Sequence, residues 1–120
     1  MNNTERSGLA INHEATVKIA AIATMEVEGV ASLGRRPIEL SNIKSFLSGN
    51  RNDHSTAIGL SVDNGALLLN VYINVRDDVK VKAVAEEVQK NVKDKVQSMT
   101  GNAVARVNVY VDDMVITEKD

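Results

Sequence analysis

No cysteine occurs in the 120-residue chain, which excludes disulfide frameworks, thiolate metal sites and cysteine nucleophiles. A reducing compartment is compatible with that absence, and the cytoplasm is the expected location. Aromatic residues make up only 2% of the chain: Phe46, Tyr72 and Tyr110. Aromatic cages and base-stacking platforms therefore have little to be built from. Charge of one sign is also missing, since fourteen Lys and Arg are interleaved with sixteen Asp and Glu, for a formal net charge of -2. A nucleic-acid binder normally carries a basic footprint, so no nucleic-acid partner is expected. Finally, no apolar run approaches the roughly 20 residues that span a bilayer. Direct membrane insertion is not expected, and any membrane association would run through a partner.

What is present fits one globular domain. At 13.0 kDa, with 43% hydrophobic and 25% charged residues, the chain can build one core of Val, Ile, Leu and Ala. The polar start, residues 1–7, reads as a flexible leader, residues 8–115 as a single domain with a loop-rich insertion at about 35–55, and residues 116–120 as a tail.

Along the chain, a short apolar stretch from Leu9 to Ile11 reads as a strand and meets Asn12, whose side chain can cap a helix with Glu14 in its first turn. Val17, Ala20, Ala21 and Thr24 share one side of that helix, and Ile19, Ile22 and Ala23 widen the stripe. Gly29 ends it after Glu28. Val30 to Leu33 can form a short strand before Gly34, Arg35, Arg36 and Pro37 break the pattern. From Arg35 to Ser55 the pattern is irregular and mobility is expected. Ile43, Phe46 and Leu47 are spaced as one amphipathic turn after Ser41, and Gly49, Asn50, Asn52 and Asp53 read as an exposed loop.

The segment Asp63-Asn64-Gly65-Ala66 places Asn-Gly at the centre of a tight turn between apolar runs, a strong hairpin signal. A two-residue turn sets Val62 opposite Leu67, Leu60 opposite Leu69 and Ile58 opposite Val71, so the apolar sets share one face. That face continues through Ile73 and Val75, and the other carries Asn70, Tyr72, Asn74 and Arg76. A second helix is predicted from about Val79 to Met99, with Val81, Val84, Ala85, Val88, Val92, Val96 and Met99 at helical spacing. Gly101 stops it. Ala103 to Val111 then alternates, with Ala105, Val107, Val109 and Val111 on one face and Arg106, Asn108 and Tyr110 on the other. The elements predict an α+β two-layer sandwich, two amphipathic helices packed on one face of a mixed, mostly antiparallel sheet.

Candidate chemistry is sparse. His13, at a helix start, and His54, in a loop, have no metal-ligand spacing. No Gly-x-Ser-x-Gly elbow or Gly-rich phosphate loop occurs. Asp77-Asp78 and Asp112-Asp113 stand where strands end, where short acidic residues commonly cap or solvate, and a calcium site needs six or more oxygens. No catalytic, cofactor-binding or metal-binding residue is assigned, and no enzyme is expected. The lead is a surface: Asn70, Tyr72, Asn74 and Arg76 on one strand with Arg106, Asn108 and Tyr110 on another. Tyr, Arg and Asn offer contact area and hydrogen bonds to a protein partner, although a solvated sheet face has the same alternation. Edge strands offer a second route, by strand addition or self-association.

These residues also carry a resemblance. The block NVYINVRDDVKVKAVAEEVQKNVKDKVQSMTGNAVARVNVYVDDM, Asn70 to Met114, resembles the core of the bacterial alkaline shock protein family, also called the glucose-starvation general stress protein family. Gly8 to Leu33, including the Glu28-Gly29-Val30 step, is similar to that family's N-terminal half. The resemblance implies a non-enzymatic protein of Gram-positive bacteria linked to cell-envelope stress, able to self-associate and in some members held beneath the membrane by a membrane-anchored partner. It supplies no catalytic residues. Scaffold or adaptor is the leading expectation, and the alternative is a small regulator binding a metabolic enzyme such as one of fatty-acid synthesis.

Overall fold

The computed structural model describes residues 12–35 and 57–117. The expected strand at Leu9 to Ile11, the turn at Ile43, Phe46 and Leu47 and the loop through Asp53 lie outside the described residues. Within them the order is α1 (His13–Met25), β1 (Val30–Leu33), β2 (Ile58–Asp63), β3 (Ala66–Arg76), α2 (Val81–Thr100) and β4 (Val104–Val115).

Asn12 starts α1 as expected: its Oδ1 accepts the Ala15 N–H at 2.9 Å, satisfying one of the orphan donors of the first turn. The helix stops three residues earlier than Glu28, at Met25, with the cap at Glu26. Its buried side is Thr16, Val17, Ala20, Ala21, Ala23 and Thr24. Thr24 is accommodated there because its hydroxyl donates to the Ala20 carbonyl at 2.8 Å. Ile22, expected to widen the stripe, is instead 54% exposed: two positions from both Ala20 and Thr24, it lies on the side of α1 opposite the buried residues.

The Asn64-Gly65 turn forms with positive φ at both residues, 51° and 80°, the requirement of the turn that matches strand twist. Its register sets Ile58, Leu60 and Val62 opposite Val71, Leu69 and Leu67, as the sequence predicts. β3 is the central strand. β4 runs parallel to it from Leu67 to Arg76, so the antiparallel strands β2, beside Ala66 to Val71, and β1, beside Ile73 to Val75, share its other edge end to end. The sheet is mixed and four-stranded.

Leu67, Leu69, Val71, Ile73 and Val75 are all fully buried, as are Val88, Val92 and Val96 of α2. Burying each such side chain contributes about 1.5–3 kcal/mol, against about 0.2–0.5 kcal/mol for an exposed charge pair on the helix. The valine stripe therefore holds α2 on the sheet. Gly101 ends it with φ 76° and donates its N–H to the Gln97 carbonyl. The helices are joined directly where Asn91 Nδ2 donates to the Ala23 carbonyl at 2.8 Å, one of the unpaired acceptors at the end of α1.

Strand β4 departs from simple alternation. It extends to Val115, four residues past Val111, and carries two irregularities, between Val104 and Arg106 and between Val111 and Asp113. The first removes Ala105 from the core face: Val104 and Val107 are buried and Ala105 is exposed. An extra residue inserted in one strand breaks the period of two.

A candidate partner-binding face

With both helices on the apolar side of the sheet, the other side presents the alternate residues of β3 and β4. The structure brings the expected residues into rows. Asn70 stands beside Asn108 and Tyr72 beside Tyr110, so the tripeptides Asn70-Val71-Tyr72 and Asn108-Val109-Tyr110 lie side by side, in parallel and in register. Asn108 Nδ2 donates to Asn70 Oδ1 at 2.9 Å. The two tyrosine rings stack with centroids 4.8 Å apart and planes 20° apart. Like residues in a parallel ladder stack in this way because their side chains leave the sheet in the same direction at the strand spacing.

The remaining expected residues are dispersed around this centre. Asn74 is held from β1: its Nδ2 donates to Ser32 Oγ at 2.9 Å and to the Leu33 carbonyl at 3.3 Å, and its Oδ1 has no donor among the described residues. Arg76 turns to its own strand end, where Nε donates to Asp78 Oδ1 at 3.1 Å; with both side chains over a third exposed, this pair is worth little to stability. Arg106 sits at the opposite end of the face, beside Leu68. The two arginines are thus separated by the length of the tyrosine and asparagine rows.

Three further residues contribute, of which the sequence pattern marks Asp78 only as a strand-end residue, Gly34 only as a strand break, and Ser32 not at all. Ser32 fixes Asn74, Asp78 holds Arg76, and Gly34 crosses close over β3. Gly34 donates its N–H to the Tyr72 carbonyl at 2.7 Å, and a Cβ there would lie 3.0–3.1 Å from Asp112 Cβ and from the Tyr72–Ile73 peptide. Only the Gly34 that breaks the strand pattern hinted at this approach. Asp77-Asp78 follows the end of β3 as expected, whereas Asp112-Asp113 lies inside β4 at its second irregularity, because the strand continues to Val115. Asp77 Oδ1 accepts the Thr117 N–H at 3.0 Å and Asp113 Oδ1 accepts the Met114 N–H at 2.8 Å. Among the described residues no three His, Asp or Glu converge in a way that could hold a metal ion.

On the helix side, a groove of about 600 Å³ between the end of α1 and α2 is lined by Glu26, Glu28, Glu87, Asn91 and Lys95. Lys95 Nζ lies 3.8 Å from Glu26 Oε1. No histidine or hydroxyl is among its lining residues.

Fold and surface together define a small α+β domain whose helices cover one sheet face and whose other face is a band of Asn, Tyr and Arg. The alkaline shock protein 23 family, described as having a cell envelope-related function, matches residues 1–116. The chain belongs to that family. A protein of Streptococcus pyogenes described only as uncharacterized, Spy1535, is 32% identical over 98 residues, covering 81% of this chain and 70% of that one. YqhY of Bacillus subtilis, likewise described as uncharacterized, is 26% identical over 109 residues, covering 91% and 78%. Solved structures of the MamM CTD are similar at 15% identity and a TM-score of 0.49, covering 85% of this chain and 98% of theirs. Among the described residues no helix is long and apolar enough to cross a membrane.

Proposed function

We propose that this chain is a non-enzymatic scaffold or adaptor in cell-envelope homeostasis, docking a protein partner on the outer sheet face and held near the membrane by a membrane-anchored partner. The observation that carries the reading is the Tyr72–Tyr110 stack in the middle of that face, with Tyr110 44% exposed. Stacked tyrosines give a partner a preorganised apolar platform with two hydroxyls at its rim, at little entropic cost on binding. Asn70 and Asn108 extend the platform on one side, and Arg76 and Arg106 lie toward its ends, where charge steers encounter more than it adds affinity. The family's envelope-related description supports the setting.

A photo-crosslinking amino acid at position 72, introduced into the full chain in its native cell, tests the reading. Crosslinking to an envelope or membrane-anchored protein is expected. Crosslinking only to a soluble enzyme of metabolism transfers the assignment to the regulator alternative, and no crosslinked protein from position 72 contradicts a docking role for this face.

A further inference from the structure

The outer edge of β4 has a second kind of complementarity, with itself. The two-residue turn closes on the pair Asp63 and Ala66, so Leu67, Leu69 and Val71 turn their backbone groups away from β2 and toward β4. Leu69 stands beside Val107 and Val71 beside Val109. A parallel ladder bonds each facing residue to the two neighbours of its partner, so Arg106, Asn108 and Tyr110 bond to β3. Val107, Val109 and Val111 then turn their N–H and C=O outward. Gln89 of α2 reaches one of these groups, its Nε2 donating to the Val107 carbonyl at 3.1 Å, and that oxygen keeps a second lone pair. Beyond the second irregularity, Asp113 occupies the Met114 N–H at 2.8 Å. Among the described residues no strand pairs with this edge.

The side chains along this stretch form a palindrome of chemistry about Val109. One step out are the polar-face residues Asn108 and Tyr110, two steps out the valines Val107 and Val111, and three steps out the opposite charges Arg106 and Asp112, the latter the extra residue of the second irregularity, exposed and on the side of the sheet that Gly34 crosses. In an antiparallel pair, directly opposed residues share a face. A two-fold axis through Val109 therefore sets Arg106 opposite Asp112 twice, and Val107 opposite Val111 twice. Moving the axis to Asn108 or Tyr110 sets Arg106 opposite Tyr110 or Met114 and loses both charge pairs.

We propose that two copies of this chain join edge to edge, β4 antiparallel to β4 about an axis through Val109, each Arg106 paired with Asp112 of the second copy. The joined sheet carries the stacked tyrosines of both copies on one continuous polar face, with the helices of both on the other side. Val111 and Tyr110, 40% and 44% exposed in the single chain, lose solvent contact at the seam. A single strand pair is at the small end of interface sizes, so the association depends on concentration, and its exposed charge pairs make it weaken with added salt.

Sedimentation velocity of the full chain over roughly 5–500 μM, spanning the range in which so small an interface forms, tests the proposal with Arg106→Asp and Asp112→Arg. Each variant alone places like charges opposite each other twice and should weaken dimerisation about tenfold or more. An equimolar mixture of the two restores both opposite-charge pairs in the heterodimer and should recover the association. Val111→Pro, which removes an outward N–H and leaves the β3 ladder intact, should be monomeric. Circular dichroism checks that each variant is folded. A wild-type chain that stays monomeric throughout, single charge variants that associate like wild type, or a mixture no tighter than its components overturns the proposal.

Discussion

Tyr72 and Tyr110, 38 positions apart along the chain, stack at 4.8 Å because β3 and β4 run parallel with their identical Asn-Val-Tyr triplets in register. An aromatic pair of this kind is worth about 0.5–1.5 kcal/mol beyond its buried area, and partial exposure places this one near the lower bound. Urea denaturation of Tyr72→Ala, Tyr110→Ala and the double variant should give a coupling of about 0.5 kcal/mol. Additive single effects would mean that the rings stack without mutual stabilisation.

Gly29 joins three elements, and its substitution should be among the more damaging in the chain. Its φ is 103°, its carbonyl accepts the Arg76 N–H at 3.0 Å, and a Cβ would lie 2.7 Å from Val84 Cγ2. Backbone strain and overpacking act together, so Gly29→Ala should destabilise by about 2–4 kcal/mol. At Gly101 the φ is also positive, 76°, but nothing lies within 4 Å of a Cβ, and Gly101→Ala should lose only about 1 kcal/mol. Equal losses in denaturant titrations would contradict the steric part of this account.

Asn91 ties α2 to the end of α1 through the Ala23 carbonyl and lies within 3.1 Å of Glu26 Oε1. Asn91→Ala should lower stability by about 1 kcal/mol. Hydrogen exchange should show the loss concentrated in the last turn of α1, where that carbonyl belongs, while β3 amides change only by the global amount.

Val88 is fully buried between the sheet and α2. Val88→Ala removes two methyl groups from a close-packed site and should cost about 2 kcal/mol through lost burial and the cavity left behind. Glu86→Ala, on the exposed side of the same helix, should change stability by less than about 0.5 kcal/mol. Comparable losses at the two positions would remove the valine stripe as the source of α2's hold on the sheet.

The hairpin and α2 were readable because their determinants are local. Asn64-Gly65 selects a turn type, the turn sets the register, and the valine spacing of α2 repeats from Val81 to Val96, about four turns. The rows of the polar face were only partly readable: each strand's alternation is local, but that Asn70 meets Asn108 and Tyr72 meets Tyr110 depends on a parallel pairing across α2. The repeated Asn-Val-Tyr triplet was the signal for it. Nothing local marks Ala105 or Asp112 as positions where β4 gains a residue, since a bulge exists only relative to the partner strand. Ile22, by contrast, was misplaced by its hydrophobicity alone, since helical spacing sets it opposite the buried side of α1. The Asn91 contact with Ala23 spans 68 positions and follows no pattern of either helix alone.

The central claim is that the Tyr72–Tyr110 platform binds a partner protein. Its most direct measurement is the affinity of the partner captured from position 72 for the wild-type chain and for Tyr72→Ser/Tyr110→Ser, alongside their thermal unfolding midpoints. Loss of two central aromatic contacts should weaken binding by tenfold or more, about 1.4 kcal/mol or greater, while both proteins unfold cooperatively from the same fold. Unchanged affinity in the folded double variant would contradict the claim.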